Sequence, residues 1–446
     1  MRKNKERRRF QMEKKKVKKK KDRSKIVTLC EKHIIKKGHM YYERCDELSF
    51  LAKNLYNATL YEQRQSFFQK AFKNYYVVNK EFAKANQVDY RALPAKVSKD
   101  VQKLPDRAFK SFFALKKLEA EGKYDKEIKI PKYLDKKKGR MTVPYEKGAV
   151  STVEEGYVSL SQSGIKVPTK IDKDKIVGAR IVPKRDHYVI EILYDKVKVQ
   201  EKEEYNRVAF IDPGMNNLMT VTSNVFNPII YNGRKIKSIN QLANKNIAKR
   251  QERMAKMNLK VKKTLGEREI QRLNVDRSKG TKAIWTKREL RIKDNFHKIT
   301  RHLVDYLVEN NIDTVIFGYN KGQKQEINLG KKTNQNFVYI PFATLRHMLK
   351  YKCDLVGIKY IEQEEAYTSK CSFVDREVFK KKKKYQGERI ERGLYKTSTG
   401  KEINADVNGS LNIGRKYLEK QKIYNDKMHN ELLLHMNNPK RITITQ

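Results

Sequence analysis

The chain has 446 residues, and 101 Lys and Arg against 52 Asp and Glu give it a formal net charge of +49. Solubility alone does not need so large a charge, so the composition predicts a polyanionic partner. Nucleic acid is favoured over a membrane surface because 25 Tyr and 17 Phe, interleaved with the basic residues, supply stacking faces. The sequence contains no apolar run of about 18 residues and no apolar signal segment after its basic N-terminus. We therefore expect an intracellular protein with no membrane partner.

The N-terminal part divides into three kinds of segment. Lys and Arg make up most of residues 1–25, which predicts a basic arm that is disordered until it meets phosphate; a plain solvated tail is the alternative. Helical spacing of apolar residues from Asp46 to about Glu121 predicts a small helical domain. Alternating apolar and polar residues between Met141 and Val199 predict several short strands that form a small β-barrel or sandwich.

Two stretches, V-A-F-I-D-P-G-M-N-N at 208–217 and N-A-D-V-N-G-S-L-N-I at 404–413, each place an aspartate in a structured setting. The first is an apolar strand that delivers Asp212 at its carboxyl end, where Pro213-Gly214 breaks it. The second leads into a helical run, so Asp406 is expected near a helix start. Either residue alone is equally a turn aspartate or a helix N-cap. The pair, in this order and spacing, indicates carboxylates that bind a metal.

The elements between the two aspartates complete an α/β pattern. Two strands follow Asp212, and a basic stretch from about 240 to 310 predicts an antiparallel helix pair. Strands at Thr314–Phe317 and Val356–Tyr360, separated by a helix at Ala343–Lys352, predict a parallel pair with a right-handed crossover. This is the element order of the RNase H-like fold, for which the expected sheet order is 3-2-1-4-5. The Lys and Arg of the helix pair either line a nucleic-acid channel or form a solvated, salt-bridged surface.

Four motifs of the chain resemble those of the TnpB family, the transposon-encoded RNA-guided nucleases related to the type V CRISPR effectors. They are D-P-G-M-N-N, G-Y-N-K-G-Q-K-Q, Y-T-S-K-C-S and N-A-D-V-N-G-S-L-N-I. The resemblance is specific over residues 206–415 and architectural over 26–205. It implies a multidomain α+β protein with a helical recognition domain, a β-barrel wedge domain and an α/β RNase H-like (RuvC) nuclease domain.

The resemblance also implies where these domains begin and end. The expected segments are the basic arm 1–25, a first wedge segment 26–45, the recognition domain 46–140, a second wedge segment 141–205, the nuclease domain 206–415 and a C-terminal tail 416–446. The nuclease domain is expected to contain the basic helical hairpin 240–310 and a zinc-finger-derived insert 366–403.

On this resemblance Asp212 and Asp406 are the first and third catalytic carboxylates. The second usually stands where this chain has Phe317-Gly318-Tyr319-Asn320, which contains no acid. Glu365 is favoured in its place, because the neighbouring strand lies about 4.8 Å away and a long side chain from its end reaches the same pocket. Some members of the wider family show such a relocated glutamate just before the T-S-x-C motif. The alternatives that stay open are Glu326 and Glu364. A further reading is that all three glutamates are solvated loop acids.

The carboxylates fit two-metal hydrolysis of a phosphodiester. In-line attack by water uses two divalent ions about 3.5–4 Å apart, and Mg²⁺ prefers carboxylate and water oxygens. We therefore expect two Mg²⁺ ions, with Mn²⁺ as a substitute, held by Asp212, Glu365 and Asp406. Asn408 is expected to orient Asp406 or to touch phosphate.

The cysteines predict free thiols and no zinc site. Cys30, Cys45, Cys353 and Cys371 are widely spaced, no C-x-x-C pair occurs, and no cysteine follows Cys371. Four zinc ligands cannot be assembled from such a set. The segment 379–400 is expected to keep a ribbon-like shape without metal.

On the first predicted helix, Asn57, Tyr61 and Arg64 share one face at i, i+4 and i+7 spacing. Together with Gln63 they are candidates for contact with a target-adjacent DNA motif or with a guide–target heteroduplex. Tyrosines beside an apolar stripe, however, are more often part of the core.

The leading hypothesis is an RNA-guided, Mg²⁺-dependent DNA endonuclease in a prokaryotic cytoplasm, associated with the nucleoid when bound to DNA. Its partners would be a guide RNA, from a transposon end or a CRISPR array, and target double-stranded DNA beside a short target-adjacent motif. One alternative is a cleavage-deficient RNA-guided DNA-binding protein that acts like a repressor, motivated by the absent second acid. Another is a nucleic-acid chaperone in which the nuclease fold is only a scaffold.

Overall fold

The computed structural model describes residues 23–152, 156–201, 205–265, 278–320, 340–391 and 393–444. The predicted basic arm at 1–25 therefore lies outside the described residues, apart from a 3-10 turn at Arg23–Lys25. None of the helices in these ranges is long and apolar enough to span a bilayer.

The N-terminal strands form two antiparallel sheets. They are β1 (Ile26–Lys36), β2 (Val143–Glu146), β3 (Val150–Thr152), β4 (Tyr157–Leu160), β5 (Lys166–Pro168), β6 (Ile176–Pro183) and β7 (His187–Val197). The first sheet has the order β1-β7-β6-β2 and the second the order β3-β4-β5. β1 pairs with β7 along its whole length, from Ile26 opposite Val197 to Lys36 opposite His187. Segments on either side of the helical region therefore share one sheet, whereas closure into a barrel stays a prediction.

Helices fill the region between β1 and β2, where the sequence predicts them. They are α1 (Tyr42–Phe68), α2 (Tyr75–Lys84), α3 (Val88–Arg91) and α4 (Ala95–Ala120). Asn74 begins α2 as an N-cap, because its side chain accepts hydrogen bonds from the backbone of Tyr76 and Val77. Leu55 on α1 and Phe109 on α4 are fully buried and belong to a core that the helices share with the N-terminal sheets.

The C-terminal half is built on a mixed sheet. Its first strands are β8 (Val208–Pro213), β9 (Asn217–Ser223), β10 (Ile229–Asn232), β11 (Thr314–Tyr319) and β12 (Lys359–Glu364). They stand in the order β12-β11-β8-β9-β10. β11 runs parallel to β8 and β12, whereas β9 runs antiparallel to β8 and β10. Counted along the chain, this is the 3-2-1-4-5 order that the sequence predicts, with Asp212 near the carboxyl end of the central strand.

Helices cover both faces of this sheet. They are α5 (Arg234–Leu265), α6 (Lys279–Glu309), α7 (Phe342–Val356), α8 (Ala405–Lys420) and α9 (Asp426–Leu434). α6 and α7 share one core with one face of the sheet, and α8 and α9 share another core with the opposite face. α5 and α6 are antiparallel, since Arg288 donates to the Asn240 side chain at 2.7 Å and Arg250 contacts Ser278 at 3.5 Å. The predicted helix pair is confirmed.

The strand predicted at Val356–Tyr360 begins later, at Lys359. Helix α7 continues to Val356, and Gly357 then ends it in the left-handed conformation, with φ of +78°. Glycine adopts this conformation without steric cost and is the usual residue just after a helix. The shift carries β12 on to Glu364 and leaves Glu365 directly after its carboxyl end.

The last strands lie outside the predicted five. β13 (Glu388–Glu391), β14 (Leu394–Lys396) and β15 (Glu402–Asn404) form an antiparallel sheet within the insert. β16 (Lys440–Ile442) comes from the segment predicted as a C-terminal tail and pairs in parallel with β10. Together with α9, it packs the described part of that segment against the C-terminal half.

The contact between α8 and β8 leaves no room for a side chain at Gly414. A Cβ atom there would meet the Phe210 ring. We expect Gly414→Ala to lower the free energy of unfolding by about 1–3 kcal/mol through overpacking. In an exposed helix the same change would stabilise the protein, because alanine has the higher helix propensity.

Thermal and urea unfolding of the purified chain would measure this effect. The matched control is Gly148→Ala, whose Cβ would meet only the end of the flexible Lys96 side chain. Equal stability of the two variants would contradict the close approach of α8 to β8.

Candidate functional site

Asp212 lies near the carboxyl end of β8, so its carboxylate stands at the end of the sheet where the parallel strands finish. Burial raises its pKa well above the usual value, and the carboxylates of Glu365 and Asp406 raise it further, while Arg389 opposes the shift. A Cβ atom on Gly409 of α8 would lie 2.9 Å from Asp212 Oδ2. The absence of a side chain at Gly409 therefore lets α8 pass directly over the Asp212 carboxylate.

Asp406 lies in the first turn of α8 but does not cap the helix. The Asn404 side chain is the N-cap, since its Oδ1 accepts from the backbone N–H of Asp406 at 3.0 Å and of Val407 at 3.2 Å. The alternative reading of Asp406 as an N-cap is therefore wrong. Its carboxylate instead accepts a hydrogen bond from Asn217 Nδ2 at 2.6 Å and lies 3.7 Å from Arg389 Nη2.

Glu365 lies over Gly318, in the space beside β11 where the sequence has no acid. A Cβ atom on Gly318 would meet Glu365 Oε1. Asn320 holds the glutamate from both ends: its Nδ2 donates to Glu365 Oε2 at 3.1 Å, and its Oδ1 accepts from the Glu365 N–H at 3.3 Å. Burial raises the pKa of Glu365 to about 7, with a further contribution from Glu364.

Two observations indicate that these carboxylates are suited to bind a divalent cation. Their donors are all oxygen, which is what Mg²⁺ prefers. Glu365 Oε1 is also buried and has no hydrogen-bond partner among the described residues, which is costly for a carboxylate unless a cation compensates it. Within the described residues, no group of three or more His, Cys, Asp or Glu side chains is already arranged to hold a metal ion.

The two alternative glutamates have different outcomes. Glu364 is exposed, and its carboxylate pairs with Lys416 Nζ at 2.6 Å and accepts from the Ala366 N–H at 3.0 Å. Glu364 thus forms a surface ion pair with Lys416 in this structure. Glu326 lies outside the described residues.

Asn408 does not have the predicted role beside Asp406. Its fully buried side chain accepts from the Phe373 N–H at 2.9 Å and donates to the Cys371 carbonyl at 2.9 Å. Asn412, one turn later, donates to the Cys371 carbonyl at 2.7 Å. The expectation that Asn408 orients Asp406 or touches phosphate is therefore corrected: both asparagines tie the turn after Glu365 to α8.

Two asparagines that form hydrogen bonds with Asp406, Asn404 and Asn217, were not predicted from the sequence. Asn404 was detectable, because an asparagine two residues before an aspartate at a helix start is a typical N-cap signal. Asn217 had no such signal, since its contact with Asp406 joins residues 189 positions apart.

The insert is held by a buried carboxylate, Glu377. This side chain accepts from the Ser372 N–H and the Gln386 N–H, both at 3.0 Å, and pairs with Lys382 Nζ at 2.8 Å. The fully buried Arg415 of α8 donates to the Glu377 carbonyl. Glu377 therefore joins the turn at Ser372 to the segment 382–386 and to α8.

The nucleic-acid-binding residues predicted on α1 are mostly engaged within the protein. Asn57 forms two hydrogen bonds of 3.0 Å with the backbone of Leu134, and Arg64 donates to the Pro131 carbonyl at 2.6 Å. Gln63 is fully buried and donates to Asp106 at 3.4 Å, so its predicted contact with nucleic acid is wrong for this conformation.

Tyr61 is the exposed member of the predicted α1 face, with 52% of its surface accessible. It is therefore not a core tyrosine, and a contact with nucleic acid at this position stays a prediction.

Comparison with known proteins relates these features to a family. A model described as "Probable transposase" (OrfB_IS605) matches residues 187–324, and a model described as "Cas12f1-like, TNB domain" matches residues 342–413. The TnpB-like protein ORF457 of Acidianus two-tailed virus is 23% identical over 411 residues, which cover 83% of this chain and 82% of that protein. The chain is thus similar to TnpB-like proteins. The family resemblance of the sequence motifs is thus confirmed.

One solved structure agrees with this similarity at the level of the fold. The chain is similar to the protein in a cryo-EM structure of a Cas12f1–sgRNA–target DNA complex, with a TM-score of 0.50 and 15% identity over 83% of this chain and 81% of that one. The mini-RNA-guided endonuclease CRISPR-Cas_phi3 gives a TM-score of 0.46 and 11% identity over 87% of this chain and 92% of that one. The mixed α/β, multidomain character predicted from the sequence is confirmed.

The role of the Glu377 contacts can be tested by substitution. Glu377→Gln keeps the side-chain shape but turns an N–H group toward backbone N–H donors. We expect this change to lower the stability of the insert by about 1–3 kcal/mol and to remove hydrogen-exchange protection at the Ser372 and Gln386 amides. The exposed Glu388→Gln is the matched control. Unchanged exchange at both amides in Glu377→Gln would contradict the role of this carboxylate.

Proposed function

We propose that this TnpB-like chain is an RNA-guided DNA endonuclease that hydrolyses phosphodiesters with two divalent metal ions. The proposal is supported by the positions of three carboxylates. Asp212 lies at the end of β8, Asp406 in the first turn of α8, and Glu365 just after β12, over Gly318. Burial, and then the carboxylates of Glu365 and Asp406, raise the pKa of the Asp212 carboxyl. Like charges concentrated in a partly buried site favour a cation between them.

In this proposal the three carboxylates would hold two Mg²⁺ ions, which supply an activated water and stabilise the leaving oxygen. The protein groups around them fix the carboxylates. Asn320 orients Glu365 through both of its amide atoms, and Asn217 orients Asp406. Arg389 brings a positive charge beside Asp406, where it is placed to contact a phosphate of the substrate. Gly318 and Gly409 have no side chains, so they leave space for the carboxylates of Glu365 and Asp212.

The partners follow from charge and from the relatives. A net charge of +49 favours a nucleic-acid polyanion, and one structural neighbour is described as a complex with guide RNA and target DNA. We propose that base pairing with a guide RNA selects the target and that the protein reads only a short duplex motif. The wedge, recognition and RuvC domains, with the boundaries expected from the sequence, are part of this proposal, as is nucleoid association of the DNA-bound complex.

The competing function is an RNA-guided DNA-binding protein that does not cut. It is motivated by the absence of an acid on β11, where Gly318 stands. The position of Glu365 over Gly318 supports the nuclease instead, because a carboxylate from the next strand occupies that space. The two functions differ in one measurable outcome, which is cleavage of matched target DNA.

Substitution of the proposed ligands tests this function. The chain would be co-expressed with its flanking DNA, the co-purifying RNA sequenced, and the complex incubated with matched target duplex and Mg²⁺. We expect Asp212→Ala and Glu365→Gln to lower the cleavage rate by about 10²-fold or more, since each removes metal stabilisation of the reaction. Target binding should be kept.

Glu364→Gln is the matched control, because this neighbouring glutamate is exposed and paired with Lys416. It should cut like the wild type. Wild-type cleavage that survives Glu365→Gln would place the second carboxylate elsewhere. Target binding without cleavage by the wild type would support the competing function.

A double substitution tests the relocation itself. Gly318→Glu alone should abolish cleavage, because its side chain meets Glu365 and Ile413. Glu365→Ala alone should also abolish it. Gly318→Glu combined with Glu365→Ala should recover part of the cleavage rate, since one carboxylate again occupies the space beside β11. A double variant that unfolds at the same midpoint as Glu365→Ala and is no more active would contradict the proposal that the two positions serve one site.

A further inference from the structure

A cleft separates the first N-terminal sheet from helix α6. It has a volume of about 620 Å³, within the range of about 300–1,000 Å³ that is usual for small-ligand sites. The sheet contributes side chains from adjacent positions of β1 and β7, because Lys32 stands opposite Glu191 and Ile34 opposite Val189. α6 contributes one face. The α6 residues that line the cleft are Thr286, Glu289, Leu290 and Lys293.

The cleft has two chemically distinct parts. The lysine cluster consists of Lys32, Lys184 and Lys293. The apolar wall consists of Ile34, Val189 and Leu290. Within this wall Ile34 leaves 41% of its surface accessible, whereas Val189 is buried. A cleft that combines cations with an apolar wall matches a ligand with an anionic and an apolar part.

The acidic side chains that line the cleft already form ion pairs with cationic side chains of the protein. Glu191 pairs with Arg180 at 2.5 Å and with Lys32 at 3.3 Å. Glu289 lies 3.5 Å from Arg185. Among the described residues that line the cleft, these are the only carboxylates, so the cleft keeps an excess of positive charge at Lys184 and Lys293.

The electrostatics of Lys293 agree with that excess. Burial and the neighbouring ammonium group of Lys32 together lower its pKa to about 8, with Lys184 acting in the same direction. Ammonium groups held together in a half-buried cleft repel one another, and a bound oxyanion relieves that repulsion.

We propose that this cleft binds one unstacked nucleotide of a nucleic-acid strand, with its phosphate among the lysine cluster and its base against the apolar wall. The proposal rests on the proposed function for the presence of a nucleic acid, but it concerns a site remote in sequence from the catalytic carboxylates. The strand is either the guide RNA or the target DNA, and the phosphate and base chemistry is common to both. The bound nucleotide would join the N-terminal sheet to the nuclease half through α6.

Amine footprinting tests the proposal on the full chain. The free protein, its complex with co-purified RNA, and that complex with target DNA are each treated with an amine acetylating reagent at pH 8. We expect Lys293 to be labelled in the free protein and protected in a complex. Protection with RNA alone assigns the nucleotide to the guide, and protection that appears only with DNA assigns it to the target.

Lys352 is the internal control for labelling. Its pKa is also lowered to about 8 by burial, but its ammonium group donates to the His297 carbonyl at 2.8 Å and to Thr300 Oγ1 at 2.7 Å. Its labelling should be the same in all three samples. Equal labelling of Lys293 in all three samples would overturn the proposal.

Binding at several salt concentrations tests the two parts of the cleft separately. Lys293→Gln should weaken nucleic-acid binding about tenfold at low salt and reduce the slope of log affinity against log salt by about 0.7. Ile34→Ser should weaken binding with an unchanged slope, because it removes an apolar contact and no charge. The matched control, Arg301→Gln, removes a charge of the same helix that is exposed and paired with Asp305.

Identical affinity and slope for Lys293→Gln and Arg301→Gln would overturn the phosphate assignment. Unfolding midpoints of all variants would be compared first, so that a binding defect is not attributed to misfolding. Failure of the wild type to retain discrete RNA or to cut would refute the proposed function. Normal RNA binding and cutting with an unprotected Lys293 would refute only the nucleotide cleft.

Discussion

The close contact between α8 and β8 determines how the C-terminal half is arranged. Glycines on α8 let the helix lie directly on the strand, with Gly414 against the Phe210 ring and Gly409 against Asp212. The buried Ser410 hydroxyl lies between them, 3.0 Å from the Phe210 carbonyl and 3.2 Å from that of Thr220. A rigid helix cannot shift along the strand without breaking these contacts. Asp406, one turn before Gly409, is therefore held beside Asp212.

The same helix also determines the position of Glu365, the proposed second carboxylate. Asn408 and Asn412 bind the backbone of the turn that follows Glu365, so one face of α8 holds that turn while its first residues carry Asp406. β11 and β12 are parallel and in register, with Gly318 opposite Gln363. A side chain two residues beyond Gln363 reaches back over the glycine. Sheet register and helix packing together explain how an acid on the neighbouring strand can occupy this space.

The sequence predicted those features that depend on local pattern. Strand order followed from the sequence of apolar runs, and the glutamate over Gly318 followed from the spacing of neighbouring strands. The sequence did not predict contacts between distant segments: the Asn57 side chain binds a backbone 77 residues away, and Gln63 is buried by a similar pairing with Asp106. A polar residue on a helix face looks the same in a sequence whether it binds solvent, ligand or backbone. Asn408 was misjudged for this reason.

The parallel pairing of β16 with β10 has a consequence for the exposed edge of the C-terminal sheet. Three residues, Lys440–Ile442, cover the backbone of β10 along Ile229–Tyr231. An uncovered strand offers N–H and C=O groups to other chains and promotes aggregation. Removing residues 440–444 would leave the backbone of β10 uncovered. A protein shortened at this end would therefore lose solubility before it lost Asp212, Glu365 or Asp406, which lie on the other side of β9.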